Sequence, residues 1–112
     1  MSTFTNSVQL IGNLGQDPVM KKLDSGKTVT TFSLATSESY KDAKGERVTT
    51  TTWHNVVAWG KTGEIVHQYA GKGKKLGVQG KISTRTYDDK DGVKRYVTEI
   101  VASEVLLMSD SK

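Results

Sequence analysis

Cysteine, proline and long apolar segments are scarce in this sequence, which has no cysteine and one proline. Without cysteine there is no disulfide, no thiolate metal site and no cysteine nucleophile, and the absence fits a reducing compartment. No apolar run approaches the ~20 residues of a membrane span, and the start of the chain lacks the basic and apolar regions of a signal peptide. We therefore expect a cytoplasmic protein with no membrane partner.

Length and charge limit the remaining possibilities. The 112 residues are predicted to form a single domain spanning 1–112, with 109–112 as a short disordered end. The formal net charge of +4 favours a polyanionic partner such as nucleic acid. Many basic domains bind no polyanion, however, so charge alone does not decide the function.

The most informative stretch is 49–61, TTTTWHNVVAWGK, which contains both tryptophans of the chain. Its threonine, valine and tryptophan content is typical of one long strand. Because side chains alternate in a strand, Trp53 and Trp59 lie on one face. Val56 and Ala58 lie on the other face, which their small apolar side chains mark as the core side. The strand is therefore a candidate platform for a flat, anionic ligand.

Other segments also have strand patterns. Strands are predicted at 6–14, 28–37, 76–87 and 94–107, with a further short one at 19–23. The charged segment 38–48 is predicted to be a long hairpin loop, and Asp91–Gly92 signals a two-residue hairpin turn.

Residues 60–73 hold the only helical pattern. Their apolar stripe at helical spacing consists of Ile65, Val66, Tyr69 and Ala70. Thr62 is placed to cap the start of this helix, and Gly71 or Gly73 to end it.

Five long strands with one helix between the third and fourth give the element order of an OB-fold, an all-β, five-stranded Greek-key barrel. Gly12, Gly77 and Gly80 then fall where a strongly curved barrel has no room for side chains.

Aromatic and basic residues are interleaved along these strands. The candidate rings are Tyr40, Trp53, Trp59, Tyr87 and Tyr96. Bases that stack on such rings gain roughly 1–3 kcal/mol each without a sequence requirement, and nearby cations neutralise phosphates. The alternative is that the rings fill the barrel or a subunit interface and that the cations form a solvated face. Arg85, just before Tyr87, is the strongest basic candidate.

Apparent enzyme and metal signals fail on inspection. Gly60-Lys61-Thr62 resembles the end of a phosphate loop, but Asn55 stands where its first glycine is required. The segment 88–92 resembles a calcium loop, but Tyr87 occupies the first ligand position. His54 and His67 are too isolated for a metal site, and no nucleophile–base pair is visible. We predict a non-enzymatic protein without metal or cofactor.

These segments closely resemble bacterial single-stranded DNA-binding proteins. The matching stretches are VQLIGNLGQDP at 8–18, FSLATSESY at 32–40, TTWHNVVAWGK at 51–61 and RTYDDKDGVKRYVTEIVA at 85–102. The resemblance implies an OB-fold, a homotetramer arranged as a dimer of dimers, and single-stranded DNA wrapped over it. It further implies a nucleoid-associated role in replication, recombination and repair.

The resemblance also implies roles for individual residues. Family positions that stack on bases correspond to Tyr40, Trp53, Trp59 and Tyr87, and basic family positions to Lys21, Lys41, Lys61, Lys72 and Arg85. His54 matches a residue at the subunit interface, whereas its sequence context alone places it at a core or an interface. With the tryptophan strand as the floor of a groove, we expect Tyr40 and Tyr87 at its rims. Tyr40 and Tyr87 replace a common tryptophan, so stacking strength is expected to differ.

Many family members add a disordered linker and an acidic tip that recruits replication and repair proteins, and the sequence ends at Lys112 without them. We expect either a truncated chain or a short member with reduced recruitment. Rival functions are an OB-fold adaptor of the primosome type, an RNA-binding OB module, and a nuclease. The paired aromatics disfavour the adaptor, and the absence of an apparent 2′-hydroxyl reader disfavours the RNA-binding module. The sequence also lacks the acidic cluster that a nuclease requires.

Overall fold

The computed structural model describes residues 5–108, which form six strands and one helix. The elements are β1 (Val8–Leu14), β2 (Val19–Lys22), β3 (Thr28–Lys41), β4 (Arg47–Trp59), α1 (Gly60–Tyr69), β5 (Lys75–Asp88) and β6 (Lys94–Leu107). The predicted disordered end at 109–112 lies outside the described residues. Among the described residues, no helix has the length and apolar character needed to cross a membrane.

The strands close into a barrel. Their order is β1-β5-β6-β4-β3-β2, and β1 also pairs with β3 through Asn13 and Leu14. The pairing of β4 with β6 is parallel and the others are antiparallel. The predicted OB-fold is confirmed: β1, β3, β4, β5 and β6 form the barrel, α1 connects β4 to β5, and β2 is a four-residue addition beside β3.

The core is built from the inward side chains of the five long strands and α1. Its buried members are Leu14, Phe32, Leu34, Val56, Ala58, Val66, Ala70, Leu76, Val78, Ile100 and Ala102. The predicted core side of β4 is confirmed, because Val56 and Ala58 are buried. Two glycines permit the tight curvature. A Cβ atom on Gly12 would overlap the carbonyl oxygen of Ala35, and one on Gly80 would overlap that of Val101.

The helix differs from its prediction at both ends. It begins at Gly60, after Trp59 in an extended conformation, and no side chain caps it. Thr62 is therefore inside the helix, so the predicted cap is wrong. The helix ends before Ala70, which is extended, so neither Gly71 nor Gly73 stops it.

The buried face of α1 also differs from the predicted stripe. Ile65 and Tyr69 are 40% and 60% exposed, whereas Gly63, Val66 and Ala70 are buried. The reason is close docking: a Cβ on Gly63 would overlap the carbonyl oxygen of Ala58 and lie 2.7 Å from Oγ1 of Thr30. The helix therefore packs through Gly63, which an apolar pattern does not reveal.

The two long hairpins are more regular than predicted. The loop predicted at 38–48 shrinks to 42–46, because β3 and β4 remain paired as far as Lys41 and Arg47. Asp42 Oδ1 closes this turn by accepting the backbone N–H groups of Lys44 and Glu46, each at 2.9 Å.

The hairpin predicted at Asp91–Gly92 is confirmed, but its turn spans 89–93. Asp89 Oδ1 accepts the backbone N–H groups of Asp91 and Val93 at 2.9 Å. A two-residue type I′ turn needs positive φ at both central residues, and here Gly92 is at φ 76° while no described non-glycine residue has positive φ.

Thr30 offers a test of the packing between α1 and the barrel. Its hydroxyl is fully buried and has no hydrogen-bond partner in the described structure. A buried, unpaired hydroxyl is destabilising, so Thr30→Val is expected to raise the free energy of unfolding by about 1 kcal/mol. Chemical denaturation measures the change.

Thr36→Val is the matched control, because Thr36 Oγ1 shares a 3.0 Å hydrogen bond with His54 Nε2. Loss of this hydrogen bond is expected to lower the free energy of unfolding by about 1 kcal/mol. Equal effects of the two variants would show that the Thr30 hydroxyl is satisfied.

Candidate nucleic-acid interface

The outward side of the sheet carries both tryptophans. Trp53 and Trp59 lie on one face of β4 and are 61% and 46% exposed, as predicted. Trp59 pairs with Val29 of β3, and Val29 pairs in turn with Lys21 of β2. Because directly paired residues lie on the same face of a sheet, Lys21, Val29 and Trp59 form one outward row.

β5 and β6 extend this face on the other side of β4. β6 runs parallel to β4 and in register with it, so the odd-numbered residues 95–101 share the face of the tryptophans. Of these, Arg95 pairs with Tyr87 and Val97 pairs with Arg85 in β5. We name this surface the tryptophan face, defined by Lys21, Trp53, Trp59, Arg85 and Tyr87.

The tryptophan face is concave where β2 to β6 curve past one another. A groove of about 460 Å³ is lined by residues from these strands, among them Val29, Asn55, Trp59, Arg85 and Glu99. Trp59 and Arg85 thus border one space although they are far apart in sequence. This groove therefore brings an exposed indole and a guanidinium group together, and their predicted roles in binding stay predictions.

Two predicted rings lie elsewhere. Tyr40 pairs with Val48, and Tyr96 pairs with Thr86. These even-numbered residues have the parity of the core side chains, so the register assigns both rings to the side opposite the tryptophan face. Tyr40 lies in β3, which extends to Lys41, and not in a loop; its expected position at the rim of the groove stays a prediction. Tyr40 and Tyr96 are 58% and 70% exposed.

Trp53 lies against a turn between β1 and β2. A Cβ on Gly15 would overlap Cζ3 of the indole and lie 2.9 Å from Cη2. The turn is held in place because the Gly15 N–H donates to the Ser33 carbonyl oxygen at 3.0 Å. Asp17 Oδ1 accepts the backbone N–H of Lys72 at 2.8 Å. These bonds position both the indole and Lys72, and the sequence pattern did not single out Gly15 for this role.

The remaining predicted cations lie outside the lining of the groove. Lys41 pairs with Arg47 at the far end of the β3–β4 hairpin. Lys61, in the first turn of α1, lines a depression beside Trp59 together with Lys27. Sequence reasoning did not include Lys27, because only the fold brings its turn next to the end of β4.

Carboxylates pair with Arg85 of β5 and Arg95 of β6. Arg85 Nε lies 3.2 Å from Glu99 Oε1, and Arg95 Nε lies 2.9 Å from Asp89 Oδ2. The hydrogen bond from Arg95, helped by the Val93 N–H, lowers the pKa of Asp89 from its usual value. The charges of both guanidinium groups are therefore partly offset by neighbouring carboxylates. Within residues 5–108, no three histidine or acidic side chains cluster as metal ligands.

His54 lies on the core side of β4, where it pairs with Leu34 of β3. It is half-buried and hydrogen-bonded to Thr36. Its predicted role at a subunit interface stays a prediction.

A closed barrel of this kind, with exposed rings and cations on one face, defines an oligonucleotide-binding OB-fold domain. The chain belongs to the single-strand binding protein family, since a model of that family matches residues 5–108.

Named relatives agree with this assignment. Single-stranded DNA-binding protein 1 of Chlorobaculum tepidum is 44% identical over 96% of this chain and 67% of its own length. The single-stranded DNA-binding proteins of Bacteroides thetaiotaomicron and Neisseria meningitidis are 47% and 43% identical, over 93% and 92% of this chain and 66% and 59% of their own lengths. The chain thus spans about three fifths to two thirds of these relatives. Their names describe binding rather than catalysis, in agreement with the expectation of a non-enzymatic protein.

Solved structures match across nearly the whole chain. The Plasmodium falciparum SSB complex with single-stranded DNA superposes with a TM-score of 0.82 at 32% identity, covering 97% of this chain and 99% of that one. A deletion mutant of the single-stranded DNA binding protein from Thermus aquaticus gives a TM-score of 0.80 at 26% identity, covering 93% and 50%.

The contact between Gly15 and Trp53 is testable by fluorescence. In a Trp59→Phe background, Trp53 is the sole tryptophan, and Gly15→Ala is expected to push its indole away from the turn. Because an indole freed from a backbone contact meets more water, the emission maximum should move to longer wavelength.

Gln68→Ala in the same background is the control. Gln68 is an exposed residue of α1, so the emission should stay unchanged. Identical spectra for the two alanine variants would show that the indole does not depend on Gly15.

Proposed function

We propose that this protein binds single-stranded DNA without sequence preference and thereby protects and organises it during replication, recombination and repair at the nucleoid. The observation that carries the proposal is the exposure of Trp53 and Trp59 on one outward face, with Arg85 beside the groove. The names of its relatives and the DNA-bound Plasmodium structure support it.

Stacking explains why single strands are preferred. A base can lie on an indole only if one of its own faces is free, and in a duplex both faces are occupied by neighbouring bases. Stacking contributes about 1–3 kcal/mol per base and tolerates every base, because each has a flat π-face. An exposed ring pair therefore selects single strands without reading sequence.

Phosphate neutralisation supplies the second contribution. We assign it to Lys21 of β2, Lys41 of β3, Lys61 of α1, Arg85 of β5, and Lys72, which follows α1. Each neutralised phosphate releases counterions, so affinity should fall as salt rises, with a slope of about −0.7 per phosphate on a log–log plot. Tyr87 adds a third ring on the same face.

Tyr40 and Tyr96 are proposed as further stacking positions. Both are exposed, but on the side opposite the tryptophan face. A strand reaches both sides only if it passes around the edge of a hairpin, so their use implies DNA that wraps the protein rather than crossing one groove.

Removal of one indole tests the binding mode. Trp53→Ala is expected to weaken binding to poly(dT) by about 1–3 kcal/mol, because a stacked base loses its partner. Titration by anisotropy with labelled oligonucleotide, repeated at several salt concentrations, measures both the affinity and its salt slope.

The control is Tyr69→Ala, since Tyr69 is a similarly exposed ring, at 60%, at the end of α1. It should bind as the unaltered protein does. Equal affinity of the unaltered protein for poly(dT) and for duplex DNA, or an affinity that does not depend on salt, would contradict the proposed function. Tighter binding of a matched RNA would favour an RNA-binding module instead.

A homotetramer, arranged as a dimer of dimers, is the second part of the proposal. Ile11 of β1, Gly77 of β5 and Leu106 of β6 pair in one row across three strands. Ile11 and Leu106 are 57% and 62% exposed. Exposed apolar patches of this kind are typical of association surfaces. His54 is proposed to lie at a subunit interface as well.

Native mass measurement tests the assembly. The protein is expected to show four times the mass of one chain, and Ile11→Glu should lower that mass because a buried, unpaired carboxylate is costly. Ile65→Glu, at an exposed position of α1, is the control and should leave the mass unchanged. A monomeric wild-type protein at micromolar concentration contradicts this part of the proposal.

A further inference from the structure

Glu99 is a carboxylate in the groove that the proposed function leaves unexplained. We infer that it competes with DNA phosphate for Arg85 and thereby limits both the affinity for single-stranded DNA and its dependence on salt. The inference rests on the proposed function, because it concerns the same groove.

The Glu99 carboxylate lies beneath the Arg85 guanidinium. Arg85 Nε lies 3.2 Å from Glu99 Oε1, with the arginine side chain 59% exposed and the glutamate side chain 13% exposed. Glu99 pairs with Ser83 on the neighbouring strand, so it sits on the floor of the sheet. Arg85 is accordingly reachable from solvent, whereas the carboxylate is held against the protein.

Glu99 differs from the other paired carboxylate of this face. Asp89 also accepts the N–H groups of Asp91 and Val93, so it has a clear role in closing its hairpin turn. Among the described residues, Glu99 has a recorded hydrogen bond only with Arg85. Its structural contribution is correspondingly small, and its main effect is on the charge of the groove.

The consequence for binding follows from the charges. An ion pair with an exposed partner contributes little, so a phosphate can take over the guanidinium. Glu99 then remains beside that phosphate, where two negative charges repel each other and attract a cation from solution. The counterion released from the DNA is offset by the cation taken up, so Arg85 adds less to affinity and to the salt slope than an unpaired arginine would.

Glu99→Gln tests the inference, because the amide keeps the shape of the side chain and can still accept a hydrogen bond from Arg85. The variant is expected to bind poly(dT) about two- to fivefold more tightly, the range that an exposed ion pair represents. Its salt slope should steepen by up to about 0.7, the value for one phosphate on a single strand.

Glu104→Gln is the matched control for the loss of one negative charge. Glu104 lies on the same strand but borders a different depression with Gln9 and Ile11; because this depression adjoins the proposed association surface, native mass measurement first shows that the variant assembles as the unaltered protein does. It should change affinity and slope much less than Glu99→Gln. In an Arg85→Ala background the increase in poly(dT) affinity caused by Glu99→Gln should be smaller, because the guanidinium for which Glu99 and phosphate compete is absent.

Melting temperatures of all variants show whether they fold, and Glu99→Ala replaces the amide variant if that one does not. Equal effects of the Glu99 and Glu104 variants, or an undiminished gain without Arg85, would overturn the inference while leaving the proposed function intact. Failure of the unaltered protein to bind poly(dT) would instead reject the proposed function itself.

Discussion

Closure of the barrel at β1 is the constraint on which the rest of the molecule depends. β1 pairs with β5 along most of its length and with β3 at its end, and Gly12 lets the two backbones approach because it has no Cβ. Closure curves β3 and β4 into an outward groove and brings the turn at Gly15 over Trp53. The groove of the tryptophan face thus results from the same curvature that buries the core.

Strand alternation lets one element serve two purposes. In β4 the core side holds Val56 and Ala58 while the opposite side holds Trp53 and Trp59. Because successive side chains point to opposite faces, exposure of the indoles does not weaken packing beneath them. His54, which follows Trp53 in the chain, lies on the core side of β4 opposite Leu34 of β3.

Charge is arranged differently from the rings. Arg85 pairs with Glu99 and Arg95 pairs with Asp89, whereas Lys27 and Lys61 line a separate depression beside Trp59. Under the proposed function, the central attraction for a single strand comes from stacking, which salt screens little, and the salt-dependent part comes mainly from lysines outside the groove. Such a groove would hold a single strand with a weaker dependence on salt than the chain's formal charge of +4 suggests.

Local patterns determined much of this protein. The alternation in 49–61 identified both indoles as outward and Val56 and Ala58 as inward, and the order of strands and helix identified the OB-fold. These succeed because side-chain alternation and turn chemistry depend only on neighbouring residues. Tertiary structure alone decided the side on which Tyr40 and Tyr96 lie and the docking of α1 through Gly63. It also decided the contact of Trp53 with Gly15 and the ion pair of Arg85 with Glu99. Each of these joins residues distant in the chain, and such contacts are set by strand length, register and closure, which no local pattern encodes.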